Sequence, residues 1–358
     1  MQDNKYILGG SIFFISSESL FINLLWLLAL IGVVSWIVTG LLYRYAVVNS
    51  VMDVPNERSS HSIDTPRGGG LAIVISFLLG IMIFWKTSFL ENRLLIGFIG
   101  SGLMVAVIGF MDDHRHIAAR WRLLVHFAAA GWLLVWLGGM PSVVLFGMVF
   151  DFGWFGHLLA FFALAWLVNL YNFMDGIDGI AGIEALSSTL AIGFLFLFSL
   201  NNEGVAFLNI LMSVSVAGFL LWNFPRAKTF MGDAGSGFLG VMLGGFALYS
   251  AHVAPQLFWC WLILLGVFIV DATYTLIRRL LRGDKIYKAH RSHAYQYAAR
   301  KYRSHIPITL AVLAINLFWL SPWAFAVAYR AIDGVVAMLI AYIPLIWLAW
   351  YFHAGEIE

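Results

Sequence analysis

Five carboxylates carry the chemical potential of this chain: Asp112 beside Asp113, Asp175 near Asp178, and Asp233. Asp112 and Asp113 sit in Gly109-Phe-Met-Asp-Asp-His-Arg-His116. Like charges side by side repel, so such a pair tends to hold a divalent cation or to have one pKa raised. Asp175 and Asp178 lie in the stretch 169–182, with the amides Asn169 and Asn172, three glycines and no nearby Lys or Arg. Carboxylates at a membrane boundary without a basic partner are costly unless water, a metal or a substrate satisfies them. Three residues apart, the two acids would share one face of a helical turn, although Asx and glycine residues also build ordinary turns. Asp233 stands among small residues in 223–237 that let a backbone or ligand approach closely. Phe230 beside it is suited to stack on a base. No Gly-Lys-[Ser/Thr] follows, which excludes a P-loop.

Two further clusters are cationic. Residues 53–70 carry Arg58, His61 and Arg67 and end in three glycines. Glycine amides near a helix N-terminus favour a phosphate, while the same charges would also serve a loop that only sets topology. Residues 277–307 contain His290-Arg291-Ser-His293 among nine Lys and Arg. Such a basic run attracts anionic lipid heads, and His and Arg also donate to phosphate oxygens, Arg in a bidentate way. Asp271 has no assigned role beyond pairing with Arg278 or Arg279. His126 and His157 read as packed or interfacial. The single cysteine, Cys260, excludes an intrachain disulfide.

The elements that must position these groups are membrane helices. The chain is 61% hydrophobic and 11% charged, against about 25% charged for a soluble domain. A transmembrane helix needs about 20 mostly apolar residues, and eleven runs qualify: 21–43, 69–86, 94–111, 122–138, 154–170, 180–199, 205–223, 236–250, 257–276, 308–328 and 332–352. The eighth is short and glycine-rich, and open to a break. Barrel strands would be roughly 10 residues long and alternate in polarity; these runs do neither, so the class is all-α. Seventeen of the 21 Lys and Arg fall in the odd-numbered loops. By the positive-inside rule those loops face the cytoplasm, with the N-terminus outside and the C-terminus inside. No removable signal peptide is expected, because residues 1–20 show no small-residue cleavage site. The chain reads as one membrane domain, 1–358, with working loops at 44–68, 112–121, 171–179, 224–235 and 277–307.

All five polar clusters fall in odd loops, so a topology set by Lys and Arg alone brings every acidic motif to one side. Converging carboxylates suit Mg²⁺, which keeps waters and takes one or two carboxylates plus substrate phosphates. The residues thus point to a Mg²⁺-dependent enzyme acting on a phosphorylated substrate at the cytoplasmic face, with a lipid partner.

On Met111-Asp-Asp113, Asn169-x-x-Asn-x-x-Asp-Gly-Ile-Asp-Gly179, Phe230-Met-Gly-Asp-x-Gly-Ser236, His290-Arg-Ser-His293 and Thr65-Pro-Arg-Gly-Gly69, the chain resembles the polyprenyl-phosphate N-acetylhexosamine-1-phosphate transferases (glycosyl transferase family 4). The resemblance implies transfer of an N-acetylamino-sugar 1-phosphate from a UDP-sugar to undecaprenyl phosphate, with Mg²⁺ (or Mn²⁺) as cofactor, the bilayer and those two substrates as partners, a homodimer admitted, and no nucleic acid. It implies Asp233, with Asp113, as metal ligands; Asp112 or Asp113 as the group that orients or deprotonates the lipid phosphate; and Asp175 and Asp178, with Asn172, at the nucleotide–metal site. Phe230 would stack on uracil, and His290, Arg291 and His293 would hold the diphosphate, with Arg58 and Arg67 as further substrate-binding cations. Two departures stand out. His-Arg-Ser-His replaces the three histidines of the phospho-MurNAc-pentapeptide translocases, which favours the O-antigen-initiating branch. Asp64-Thr-Pro66 replaces Pro-Thr-Pro. An intramembrane prenyltransferase also uses Asp pairs and Mg²⁺ but leaves Phe230-Met-Gly-Asp and His-Arg-Ser-His unexplained. A transporter would place its acids near the midplane within repeats.

Overall fold

The computed structural model describes residues 7–8, 11–12, 17–55, 63–86, 90–115, 117–200, 202–284 and 291–356. Arg58, His61 and His290 lie outside them. Fourteen α-helices and one π-helical segment account for almost all regular structure among these residues. The helices are α1 (Ser17–Val48), α2 (Leu71–Trp85), α3 (Asn92–His114), α4 (Ala119–Leu137), α5 (Gly153–Met174), α6 (Ile180–Phe198), α7 (Glu203–Asn223), α8 (Gly232–Val253), α9 (Leu257–Leu264), α10 (Gly266–Leu281), α11 (Ala294–Tyr302), α12 (Ile306–Ile315), α13 (Ser321–Ala328) and α14 (Gly334–Tyr351). The π-helical segment Asn316–Leu320 joins α12 to α13 in one span. The strands form three two-stranded antiparallel hairpins: Ile7–Leu8 with Ser11–Ile12 (β1, β2), Met52–Asp53 with Thr65–Pro66 (β3, β4), and Val143–Leu145 with Met148–Phe150 (β5, β6).

Each of the eleven apolar runs falls on a helix. Among the described residues, eight helices are long and apolar enough to cross a membrane, or nine if the bent pair α9–α10 forms one span. The other two runs fall short for separate reasons. α2 has only 15 residues, and α4 carries Arg120 and Arg122 in its first turn.

Two expectations about helix integrity are reversed. α8 is continuous over 22 residues and almost wholly buried at the centre of the bundle. Its glycines serve close packing. A Cβ on Gly240 would lie 2.7 Å from the Val168 backbone, and one on Gly235 would lie 2.7 Å from Gly70 Cα. Small residues allow this approach where lipid offers no hydrophobic drive between helices. The break falls instead at Leu265, where α9 and α10 meet at a bend of 69°.

Candidate active site

The cluster begins where α3 ends and α8 starts. Gly109 lets these helices touch, since a Cβ there would lie 2.5 Å from the Asp233 carbonyl carbon and the Ala234 nitrogen. Asp113, one turn on, accepts the backbone amide of Asp233 at 3.0 Å and that of Ala234 at 3.3 Å. A carboxylate at the C-terminal end of α3 opposes that helix's dipole but complements the positive start of α8. Gly232 makes the turn into α8 with φ +76° against the Asp113 carboxylate, a conformation that favours glycine.

Arg67 reaches this corner from the β3–β4 hairpin. Its backbone amide donates to Val51 O at 3.1 Å. The following residues form rungs with the start of α8: Phe230 donates to Pro66 O at 2.8 Å, and Gly69 and Gly70 donate to Phe230 O and Met231 O, each at 2.9 Å. The guanidinium bridges Asp113 Oδ1 at 2.8 Å and Asp233 Oδ1. Burial works to lower its pKa, but Asp233, Asp113, Asp53 and Asp112 outweigh that and hold it above the usual range. Arg122 closes the other side, with Nη1 at 2.6 Å from Asp112 Oδ2 and 2.8 Å from Asp233 Oδ2. Asp112 Oδ1 accepts the Ile117 amide at 2.6 Å. Asn172, on the last turn of α5, adjoins Asp233, while Asn169 turns back to donate to Ala165 O at 2.7 Å.

Asp175 and Asp178 do not share a helical face. α5 stops at Met174 and α6 begins at Ile180, with Gly179 left-handed at φ +75° between them, so the acids sit on a tight connection and diverge. Asp175 turns toward Arg67, Asp113 and Asp233, and its carboxylate has no hydrogen-bond or ion-pair partner among the described residues. Lost hydration raises its pKa to about 7; Arg67 opposes this, and Asp233, Asp113 and Asp178 add to it. Asp178 points away, with Oδ1 at 3.1 Å from His305 Nδ1 and Oδ2 accepting the Ala227 amide at 3.1 Å. Asn223 ties the same connection to the loop before α8, accepting from Gly179 N and donating to Thr229 O, both at 2.9 Å.

Beside the cluster opens a cavity of about 860 Å³ lined by Pro66, Asp178 and Phe230, with Arg226, Lys228, Arg300, Arg303 and His305. Phe230 therefore faces a space that could admit a base. Those five basic residues entered the sequence reading only as topology charges or not at all, and Arg122 likewise. Arg226 and Lys228 come from the same loop as Phe230, whereas Arg122 and the residues of and after α11 reach the site only because α4 and α11 fold back, which spacing does not report.

Asp271 bonds neither Arg278 nor Arg279. It caps α11, accepting the amides of Ala294 and Tyr295 at 2.9 and 3.1 Å, and lies 3.3 Å from His293 Nδ1. Arg278 instead pairs with Glu356 at 2.6 Å. His293 is buried at 3% exposure as the first residue of a capping box with Gln296. Its side chain thus secures the loop rather than facing the basic cavity. Arg291 is partly buried at the start of that loop, and its carbonyl accepts from Arg300 at 3.2 Å.

No three of the His, Cys, Asp and Glu side chains among the described residues are grouped to hold a metal ion. The donor set nonetheless fits a hard divalent cation. Four carboxylates against two guanidiniums leave a surplus of two negative charges when all are ionised. The Asp175 carboxylate lacks a partner among the described residues, and Mg²⁺ needs only one or two protein carboxylates.

A second cavity, of about 410 Å³, is almost entirely apolar. It follows α5 from Phe152 to Leu170, short of Asp175 by just over a turn, and is walled by α8, by Trp261 and Leu262 of α9, and by Ile269 of α10.

A multi-pass helical membrane protein with an acid–arginine cluster between a cation-lined cavity and an apolar groove is the class defined by these features. Sequence comparison agrees. The profile of glycosyl transferase family 4 matches residues 95–251, from α3 to α8. The chain is similar to a probable undecaprenyl-phosphate N-acetylglucosaminyl 1-phosphate transferase of Bacillus subtilis (28% identity, 79% of each chain). It is similar to a decaprenyl-phosphate N-acetylglucosaminephosphotransferase of Mycolicibacterium smegmatis (26%, 89% of each). An undecaprenyl-phosphate alpha-N-acetylglucosaminyl 1-phosphate transferase of Thermotoga maritima is also similar (26%, 81% of this chain and 88% of the relative). The profile match takes in the helices that carry the acidic cluster, and over most of its length the chain is similar to polyprenyl-phosphate N-acetylglucosamine-1-phosphate transferases.

Proposed function

We propose that this protein transfers an N-acetylamino-sugar 1-phosphate from a UDP-sugar to undecaprenyl phosphate, giving undecaprenyl-diphosphate-sugar and UMP. The reaction would start O-antigen or a related cell-envelope glycan at the cytoplasmic face of the inner membrane. The reading takes eleven membrane spans, with the N-terminus outside and the C-terminus inside. The observation that carries it is the convergence of Asp112, Asp113, Asp175 and Asp233 with Arg67 and Arg122 beside the cavity lined by Phe230.

A phosphate monoester has a second pKa near 6, so the lipid phosphate is largely ionised at neutral pH and needs little help from a base. The harder task is to bring two anions together and stabilise the departing UMP. Asp233 and Asp113 would hold Mg²⁺ (or Mn²⁺), which would supply charge neutralisation at the diphosphate. Asp112 or Asp113 would orient the lipid phosphate, and Asp175, which has no partner among the described residues, would face the same point. Phe230 would stack on uracil. Asp178 holds the Ala227 amide and His305 together, and so shapes the wall of the nucleotide cavity. Arg226, Lys228, Arg300 and Arg303, with Arg291, would meet the diphosphate. His293 acts through Asp271, which fixes the loop. The apolar groove would take the prenyl chain and bring its phosphate to the Asp175 end. Direct attack by the lipid phosphate is favoured over a covalent aspartyl intermediate, because that phosphate is already a nucleophile.

The test is UMP release by the purified protein with undecaprenyl phosphate, Mg²⁺ and UDP-linked N-acetylglucosamine, N-acetylfucosamine or N-acetylquinovosamine. Release that requires both lipid and cation supports the reading. Turnover of an isoprenyl diphosphate without any UDP-sugar would replace it with the prenyltransferase alternative.

A further inference from the structure

Glu184 lies in the second turn of α6, fully buried within the bundle. Among the described residues it forms no ion pair with Lys, Arg or His. Asn316, the first residue of the π-helical segment, donates through Nδ2 to Glu184 Oε2 at 2.6 Å and to Ser187 Oγ at 2.8 Å. Glu184 Oε1 and Asn316 Oδ1 are both buried, and neither receives a hydrogen bond. Tyr171 of α5 and Tyr342 of α14 are the titratable neighbours, and each donates its hydroxyl elsewhere, to Ala181 O and Leu262 O. An ionised carboxylate here would have no counter-charge among the described residues and would leave two buried acceptors of bonded neighbours without a donor, at large desolvation cost. One proton on Oε1 would supply a donor for Asn316 Oδ1 and close an acid–amide pair with a hydrogen bond in each direction.

The same turn of α6 serves the bend between α9 and α10. The break at Leu265 separates the Leu264 carbonyl from the Phe268 amide, which would pair in an unbroken helix. Ser188 Oγ donates to Leu264 O at 3.3 Å, and the Phe268 amide lies near the Glu184 carboxyl. α6 therefore packs polar groups against both backbone groups that the bend sets free. Residues on both sides of the bend, Trp261, Leu262, Leu265 and Ile269, line the apolar groove.

We propose that Glu184 is held as a neutral carboxylic acid paired with Asn316, and that this pair is a positioning device which fixes the α9–α10 bend and thereby the groove for the lipid acceptor. The second half rests on the reading of the groove given above; the first does not.

Infrared difference spectra of wild type against E184Q test the protonation state without any turnover. A protonated-carboxyl stretch present at neutral pH in the wild type and absent from E184Q is expected; its absence from the wild type overturns the proposal. E184Q preserves both hydrogen bonds as an amide–amide pair and should keep kcat and both KM values within about twofold. E184L and N316L should raise KM for undecaprenyl phosphate about tenfold and leave KM for the UDP-sugar unchanged. E184Q impaired as severely as E184L, or a loss confined to kcat in the leucine variants, would overturn the positioning role. A wild type inactive with every UDP-sugar would instead count against the transferase reading and leave the infrared result standing.

Discussion

Asp113 accepts the backbone amide of Asp233 at 3.0 Å, so one acid of the cluster holds the start of the helix that carries the other. The arrangement depends on Gly109, where α3 and α8 touch. Gly109→Ala places a methyl group against backbone that cannot give. It should destabilise the protein by about 1–3 kcal/mol and lower activity more than fold, because the two carboxylates separate. Denaturation in detergent alongside UMP release measures both; unchanged activity would show that the contact does not set the site.

Asp233→Asn should remove the principal cation ligand. Activity should fall about a thousandfold, and Mn²⁺ binding followed by paramagnetic resonance should weaken in parallel. Full activity in this variant would refute the metal assignment.

Arg67 neutralises Asp113 and Asp233 from a side chain that is 32% exposed. Arg67→Ala leaves both acids short of positive charge, so the variant should unfold at lower temperature without divalent cation. Added Mg²⁺ should recover more stability in the variant than in wild type, because the cation takes over the neutralisation. An equal Mg²⁺ shift in both proteins would contradict this.

The helices were legible in the sequence because about 20 apolar residues are hard to place otherwise, and the acidic motifs were legible because carboxylates are rare in such a chain. Relations that depend on tertiary folding were not. Spacing put Asp175 and Asp178 on one face, but α5 ends between the two motif halves and the acids diverge. Arg122 read as a topology charge until α4 returned it to Asp112 and Asp233. The glycines of α8 suggested a break, since composition alone does not separate a flexible glycine from a close-packed one. Asp271 reaches His293 from the helix that follows the bend at Leu265, and Gly266 beside that bend reads in sequence as one more small residue in an apolar run.

Asp175 provides a pH test. Its pKa stands at about 7 against an ordinary 3.8, so the metal-free fold favours the protonated acid. Its contribution to stability is fully present below the unfolded value and is lost as pH rises through about 7. A bound cation favours the ionised form. The rise in melting temperature on adding Mg²⁺ should therefore grow between about pH 6 and about pH 8, and Asp175→Asn should flatten that trend. A Mg²⁺ shift independent of pH in the wild type would place Asp175 away from the cation.

Transfer of the label from a UDP-N-acetyl-sugar carrying radioactive β-phosphate tests the central claim most directly. With undecaprenyl phosphate and Mg²⁺, the account predicts that the β-phosphate label moves into the lipid fraction and that unlabelled UMP is the nucleotide released. Label retained in released UDP would mean that the sugar moves without its phosphate, and would contradict the account.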